Sequence, residues 1–290
     1  MTVLLLLLAH LIADFWLQTD QMVKNKIKHL KKHIFHHLLT TGIVLAIIWG
    51  YQYEFQNIIM YFILPLIFII ITHLLIDMLK IKLVDSIKRS PTDHIIRLRY
   101  FLLDQVLHAM MIIIACLLFF RMKVAEMTTS LLDLYGTNGL SPFNTFLFIS
   151  IIYILATSVS GHIVKFIVGS LPSELVNFEG ELTLRHQMND TTEKSQPKME
   201  NSFTEEYHYF TYSSPLRSRG KLIGYIERLL VIILTVIGSY SSIAFIIAAK
   251  SIARFKQLED RSWAEYFLLG TLSSIFLGLV LGLAVQGIIK

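Results

Sequence analysis

Apolar residues run along this chain in blocks of about twenty, too long for strands and separated by short basic or amide-rich stretches. The blocks predict helices over residues 2–22, 33–53, 57–82, 98–121 and 143–170, and then over 221–238, 241–256 and 263–288. Between the two groups, residues 172–220 are polar, and Asn189 to Ser202 is mostly charged or amide with no apolar period. A stretch of that kind reads as a partly disordered loop. Gly238-Ser239-Tyr240-Ser241-Ser242 separates two runs that are short for a span, and reads as a tight turn in a tilted or re-entrant hairpin. No internal repeat is evident. The pattern predicts an all-α, polytopic helical membrane protein with about seven transmembrane helices. Four parts follow: a four-helix membrane domain (1–122), a fifth helix with its connection (123–171), a polar cytoplasmic loop (172–220) and the C-terminal membrane helices (221–290).

Composition removes the alternatives. Of 290 residues, 54% are hydrophobic and 16% charged, with mean hydropathy +0.59. Soluble domains carry about 25% charged residues, so an ordinary soluble fold is excluded. The apolar run Thr2 to Leu8 has no basic residue before it and no small-residue cleavage site after it, and His10 and Asp14 interrupt the span. It reads as a retained helix rather than a secretion signal. A single cysteine, Cys116, excludes an internal disulfide and a thiolate metal cluster. The net charge of +5 comes from basic residues flanking the spans, without the interleaved aromatics of a nucleic-acid groove. Those residues gather at Lys24–Lys32, Lys80–Arg99, Arg185–Lys221 and Lys250–Arg261, leaving Arg121, Lys123 and Lys290 for the opposite side. Positive charge stays inside, so the N-terminus is expected outside.

The 11 histidines are the anomaly. Each of the first four helices carries two ligand-type residues at i and i+4: His10/Asp14, His33/His37, His73/Asp77 and Asp104/His108. This spacing sets both side chains on one helix face, about 5–6 Å apart at Cβ. A helix offers two ligands to one metal ion, or to two neighbouring ions, in this way. Random placement would produce roughly one such pair containing a histidine. Two further pairs, His29/His33 and His186/Asp190, fall in a lysine run and in the polar loop and are set aside. The other four sit in apolar helices, where each ionisable group is costly. Followed along the alternating helices, all four come to one level in the cytoplasmic half of the membrane. Hydrogen bonding between helices would explain any single pair; four at one level point to metal. Eight ligands exceed one tetrahedral ion, so two ions are expected, or one ion with supporting residues.

These residues resemble the opening of an uncharacterised family of bacterial polytopic membrane proteins, domain of unknown function 3307. The resemblance runs through His10-Leu-Ile-Ala-Asp14-Phe-Trp-Leu-Gln18-Thr19, His33-x-x-x-His37, His73-Leu-Leu-Ile-Asp77-Met-Leu-Lys80 and Asp104-Gln105-Val-Leu-His108, about the first 120 residues. Gly224 to Arg228, Ala249 to Phe255 and Glu265 to Thr271 resemble longer members. The resemblance implies the plasma membrane of a bacterium and no assigned reaction. A looser likeness to membrane-bound metal-dependent hydrolases rests on their use of His and Asp pairs on helices. His36 precedes His37, and the spacing from His33 favours His37 as the ligand.

Other polar residues have two readings each. Gln18 continues the His10/Asp14 face and could orient a ligand, or is an amide at a helix end. Gln105 beside Asp104 has the same supporting role. Lys80 could hold a substrate phosphate, or snorkel to the surface. Glu227, inside an apolar run, is expected to pair with a base from a neighbouring helix. Lys250 and Arg254 share a face that could take a lipid headgroup, although their position inside explains them as well. His94, His162, His186 and His208 have no partner pattern.

A dry site of His and Asp suits zinc, manganese or iron. The metal would bring a bound water toward neutral pKa, with Asp14 or Asp104 as general base instead of ligand. The leading expectation is a metal-dependent hydrolase acting on a lipid or lipid-linked phosphate from the cytoplasmic leaflet. A di-iron oxidase or hydroxylase, a divalent-metal transporter and a non-catalytic membrane partner protein are the alternatives. The outer halves of the first four helices lack the polar stripe a transporter would need.

Overall fold

The computed structural model describes residues 1–87, 94–123, 140–169 and 216–289, and among these every element is helical. The polar stretch 172–220 lies outside them except for 216–220, as do His186 and His208. In chain order the helices are α1 (Thr2–Trp16), α2 (Asp20–Lys24), α3 (Lys26–Tyr53) and α4 (Ile59–Ile63 continued by Leu64–Ile87). They continue with α5 (His94–Phe119), α6 (Pro142–Val168), α7 (Leu216–Ile237), α8 (Tyr240–Ala253) and α9 (Arg261–Ile289).

Five of these, α3, α4 through Leu83, α5, α6 and α9, are long and apolar enough to cross a membrane, and α1 and α8 are shorter apolar helices. The protein is therefore membrane-embedded and helical. α7 is crossed by Lys221, Glu227 and Arg228, more charge than a span normally carries. So five of the about seven expected crossings meet the length and polarity of a span.

The helix ends depart from the sequence expectation where charge misleads. α3 opens at Lys26 rather than at residue 33, and α5 at His94 rather than 98. Lysines and arginines at a span's end remain helical and extend toward the interface, so a charged flank is not a connection. In the other direction, α1 stops at Trp16 instead of 22, in a π turn over Ile12–Trp16 closed by Leu17 N donating to the Ile12 carbonyl at 3.0 Å. Ser141 opens α6 by accepting from Asn144 N, with Pro142 in the first turn. Gly238, at φ +81°, turns the chain from α7 to α8, as the Gly/Ser stretch predicted.

The first four long elements pack as a group. Leu5 and Leu6 of α1, Leu45 and Ile48 of α3, Ile69 of α4 and Ile112, Ala115 and Cys116 of α5 form one apolar core. The polar pairs lie on the same helix faces, further toward the α1 C-terminus. The C-terminal helices form a second group in which α9 lies against α7. A Cβ at Gly278 would stand 2.9 Å from the Val231 side chain, and one at Gly282 2.7 Å from Thr235, so these two glycines allow the helices to approach. α6 joins the groups: His162 faces the rings of Phe15 and Phe101 on one side, and the Ala156 and Thr157 carbonyls face Arg228 on the other.

Candidate metal centre

The four i, i+4 pairs converge into one cluster. His10, His33, His37, His73, Asp77, Asp104 and His108 are all buried, none more than 6% exposed, and the Asp14 side chain is 9% exposed. Each helix contributes from a different depth of its own length. α1 ends just beyond Asp14, while α3, α4 and α5 run on past the cluster for two to three turns toward their basic ends. Asp104 lies further along α5 than the sequence placed it, because the helix begins four residues earlier than expected.

Asp14 is the hub. Its Oδ1 accepts from His37 Nε2 at 2.9 Å and lies 3.3 Å from His33 Nε2 and 4.0 Å from His73 Nε2. Its Oδ2 accepts from Gln105 Nε2 at 3.1 Å and lies 3.7 Å from His10 Nε2. The π turn holds this residue: one extra residue per turn aims a side chain off the regular helix face, and such turns recur at functional sites.

A second grouping surrounds Asp77. His33 Nε2 and His73 Nε2 are 3.2 Å apart, and Asp77 Oδ2 is 3.3 Å from the first and 3.6 Å from the second. Nitrogen or oxygen ligands on a tetrahedral zinc, at bonds of 2.0–2.1 Å, stand about 3.3–3.4 Å from one another. The triangle His33, His73, Asp77 therefore has the edge lengths of one face of a metal tetrahedron. A third grouping joins Asp14, Asp104 and His108, with His108 Nε2 3.5 Å from Asp104 Oδ1. In each of three overlapping sets (His10, Asp14, His37, His73; His33, His73, Asp77; Asp14, Asp104, His108) the ligand atoms all lie within 4.8 Å of one another. His73 and Asp14 each belong to two sets, which is how neighbouring ions would share ligands.

The test of fit is what remains unpaired. His10 Nε2, His108 Nε2, Asp77 Oδ2 and Asp104 Oδ1 are buried with no hydrogen-bond partner. Each such atom costs about 1–3 kcal/mol, more when charged, unless something else meets it. All four face their neighbours at distances too long or too oblique for hydrogen bonds and suited to a shared cation. Beside His10, His73 and His108 is a cavity, walled by Ile69, Thr72 and Met111, with room for about one water molecule.

The carboxylates Asp77 and Asp104 each divide their two oxygens. Asp77 turns Oδ2 to the histidines and accepts on Oδ1 from Lys26 Nζ at 2.6 Å. Asp104 turns Oδ1 to His108 and accepts on Oδ2 from Lys80 Nζ and from Gln105 Nε2. Gln105 thus ties Asp14 to Asp104, the supporting role expected of it. Lys80, read as a phosphate or surface lysine, is ion-paired here and sits 5.8 Å from the centroid of the Phe101 ring. Lys26 was missed. It lies one heptad before His33 on the same stripe of α3, a signal hidden by its place in a lysine run.

His37, 1% exposed and bonded to Asp14, is the residue of α3 that joins His33, while His36 does not reach the cluster. Gln18 lies beyond the end of α1 at Trp16, so it does not continue the His10/Asp14 face by a regular helical step. Glu227 does meet a base: Lys250 Nζ donates to both its oxygens, at 2.9 and 2.8 Å. Lys250 Nζ also lies 5.5 Å from the centroid of the Phe267 ring, and Arg254 lies at the α8 C-terminus. His162 donates from Nδ1 to the Ser158 carbonyl at 2.8 Å, and the His94 ring lies against Gly169.

No curated protein and no solved structure matches the chain. Residues 2–134, which hold all eight clustered side chains, match the family model described as Protein of unknown function (DUF3307). The N-terminal part of the chain is thus similar to this uncharacterised family, in the stretch where its opening motifs implied the resemblance.

Proposed function

We propose that this is a membrane-embedded metal-binding protein that uses its centre as a hydrolase on a lipid or lipid-linked phosphate at the cytoplasmic leaflet of a bacterial plasma membrane. The observation that carries the metal is the set of four orphaned ligand atoms amid eight His and Asp side chains from four helices. Shared Asp14 and His73 favour two ions, and His/Asp donors suit zinc, manganese or iron. A bound divalent ion supplies an acidified water and polarises a phosphoryl oxygen. The chain's own residues do the rest. Asp14 and Asp104, held together by Gln105, offer carboxylate oxygens that take a proton or a ligand bond. The apolar core over α1, α3, α4 and α5 keeps bulk water from the outer side.

One observation favours a second reading, oxidation chemistry at two irons. The cavity beside His10 and His108 is apolar on its far wall and fits a diatomic or a water better than a headgroup.

The experiment is metal content by elemental mass spectrometry on detergent-purified protein, beside the His73→Ala/Asp77→Ala double variant. Two equivalents of zinc or manganese, lost in the variant, are expected. Two of iron would replace hydrolysis with oxidation. A freshly purified wild type with no metal, matched by a normally folded variant, would overturn the metal reading.

A further inference from the structure

We propose that Lys26 and Lys80 are the anion-binding pair of this centre, gripping a phosphoryl group that reaches the metal from the basic rim. The inference rests on the metal reading above and adds to it the residues that select the substrate.

The two lysines repeat one arrangement on successive helix pairs. Lys26 of α3 holds Asp77 of α4, and Lys80 of α4 holds Asp104 of α5. In both, the ammonium occupies the carboxylate oxygen that faces away from the histidines, and the oxygen toward the histidines is left without a hydrogen bond. The lysines therefore do not compete for the oxygens a metal would use. They can keep their places when it binds.

Both stand on the same rim. α3 runs from Lys26 inward to His33, and α4 runs from Asp77 outward to Lys80, so the two ammonium groups flank the centre at its basic end. Each lysine side chain is 22% exposed, against 2–3% for its aspartate. A group approaching the centre from that end meets them first. Each ammonium has three N–H donors and spends one on its carboxylate, so donors remain on both. Lys26 also opens α3, whose positive end points to the same rim.

Simple charge balance would not require this placement. A lysine serving only to neutralise a carboxylate could sit on either oxygen and at any depth. Here two lysines share one side, one level and one choice of oxygen. A phosphoryl group matches them because its oxygens project in three directions, enough to meet two ammonium groups and a metal together. The source of the phosphoryl group, a lipid headgroup or free phosphate, is left to the test.

The test uses the full chain in phosphatidylcholine nanodiscs, loaded with Mn²⁺, with the ³¹P relaxation of two probes: inorganic phosphate added free, and phosphatidic acid built into the disc. Wild type is expected to relax at least one of them, which also says whether the anion arrives from water or from the bilayer. Lys26→Gln and Lys80→Gln, each compared at a manganese concentration that saturates it, should weaken phosphate binding by about tenfold or more, with Lys→Arg restoring most of it. If the manganese-saturated Gln variants bind phosphate as wild type does, or cannot be saturated with manganese at all, the lysines only hold the carboxylates and the proposal is overturned. Manganese bound without ³¹P relaxation by either probe overturns this proposal alone. Wild type that takes up no manganese overturns the metal reading beneath it.

Discussion

Two clusters of buried ionisable groups lie in this molecule, and they are finished differently. In the C-terminal group, Glu227 meets Lys250 through both oxygens. Arg228 gives Nε to the Ala156 carbonyl and its terminal nitrogens to the Thr157 carbonyl and to Ser274 Oγ. Both residues leave no orphaned atom among the buried side chains. The π turn over Leu155–Val159 contributes here too, since it carries both carbonyls that Arg228 takes. In the N-terminal group, three carboxylates and five histidines share two lysines and one glutamine, and five of their atoms meet nothing: the four that face the cluster and His33 Nδ1. Charge is costly in both places. The C-terminal cluster offsets that cost with its own partners, as a device for joining helices does. The N-terminal cluster leaves part of that cost unmet by its own partners, which is the difference the proposed cation would make up.

The contrast is broken most forcefully at Asp14, which belongs to two of the three ligand groups. Asp14→Asn keeps the shape and one acceptor but removes the charge. It should weaken metal binding by at least about 100-fold, since even residues that only orient ligands cost 10–100-fold. The stabilisation by metal should vanish with it. For wild type that stabilisation is about 2.7 kcal/mol at a free metal concentration 100 times the dissociation constant, read as a shift in thermal unfolding with and without chelator. An Asp14→Asn protein that still gains as much from metal as wild type would move the hub elsewhere.

The next largest effect belongs to the other cluster. Arg228→Met retains the length of the side chain and abandons two backbone carbonyls and a hydroxyl, at about 2–4 kcal/mol of stability. Metal content should stay at the wild-type level, because Arg228 touches α6 and α9 and none of the ligands. Loss of metal in this variant would show that the two clusters are one cooperative unit through α6.

What was legible in the sequence was what a single helix encodes. His10/Asp14 or His73/Asp77 declare themselves because i and i+4 share a face whatever the helix packs against. Convergence of the four faces could be read from depth, since alternating helices have countable ends. That Glu227 needs a base from another helix was legible from its charge, and Lys250 supplies it, but which residues pair across helices was not. Lys26 was hidden among other lysines, and its pairing with Asp77 is set by the crossing of α3 over α4. Lys80 was seen, but which carboxylate it meets depends on how α4 lies against α5. Arg228 was overlooked because its partners are main-chain carbonyls, which no residue type announces. The step from Asp14 to Gln18 was not legible for a local reason of another kind: the i+4 rule presumes a regular helix, and the π turn at Ile12–Trp16 ends that regularity within four residues of Asp14.

The smallest effect is the sharpest check on which histidine of α3 matters. His36 and His37 are adjacent, so they point about 100° apart around the helix. Only one of them can share the stripe of His33, which lies one turn before His37. In the structure His37 is buried against Asp14 and stacks near His73, with ring centroids 3.7 Å apart. His36 is only half-buried and outside every ligand group, although its Nδ1 lacks a partner. What separates His36 from the centre is that, among the described residues, no group of ligand atoms close enough to share an ion includes it. His36→Ala is therefore expected to leave metal content unchanged and stability within about 0.5 kcal/mol of wild type, the range of a surface substitution. His37→Ala, measured beside it by elemental analysis, should lose metal as the other ligand variants do. A reversal of the two would mean that α3 turns by one residue when the ion binds, and that the stripe joining Lys26, His33 and His37 belongs to the metal-free protein alone.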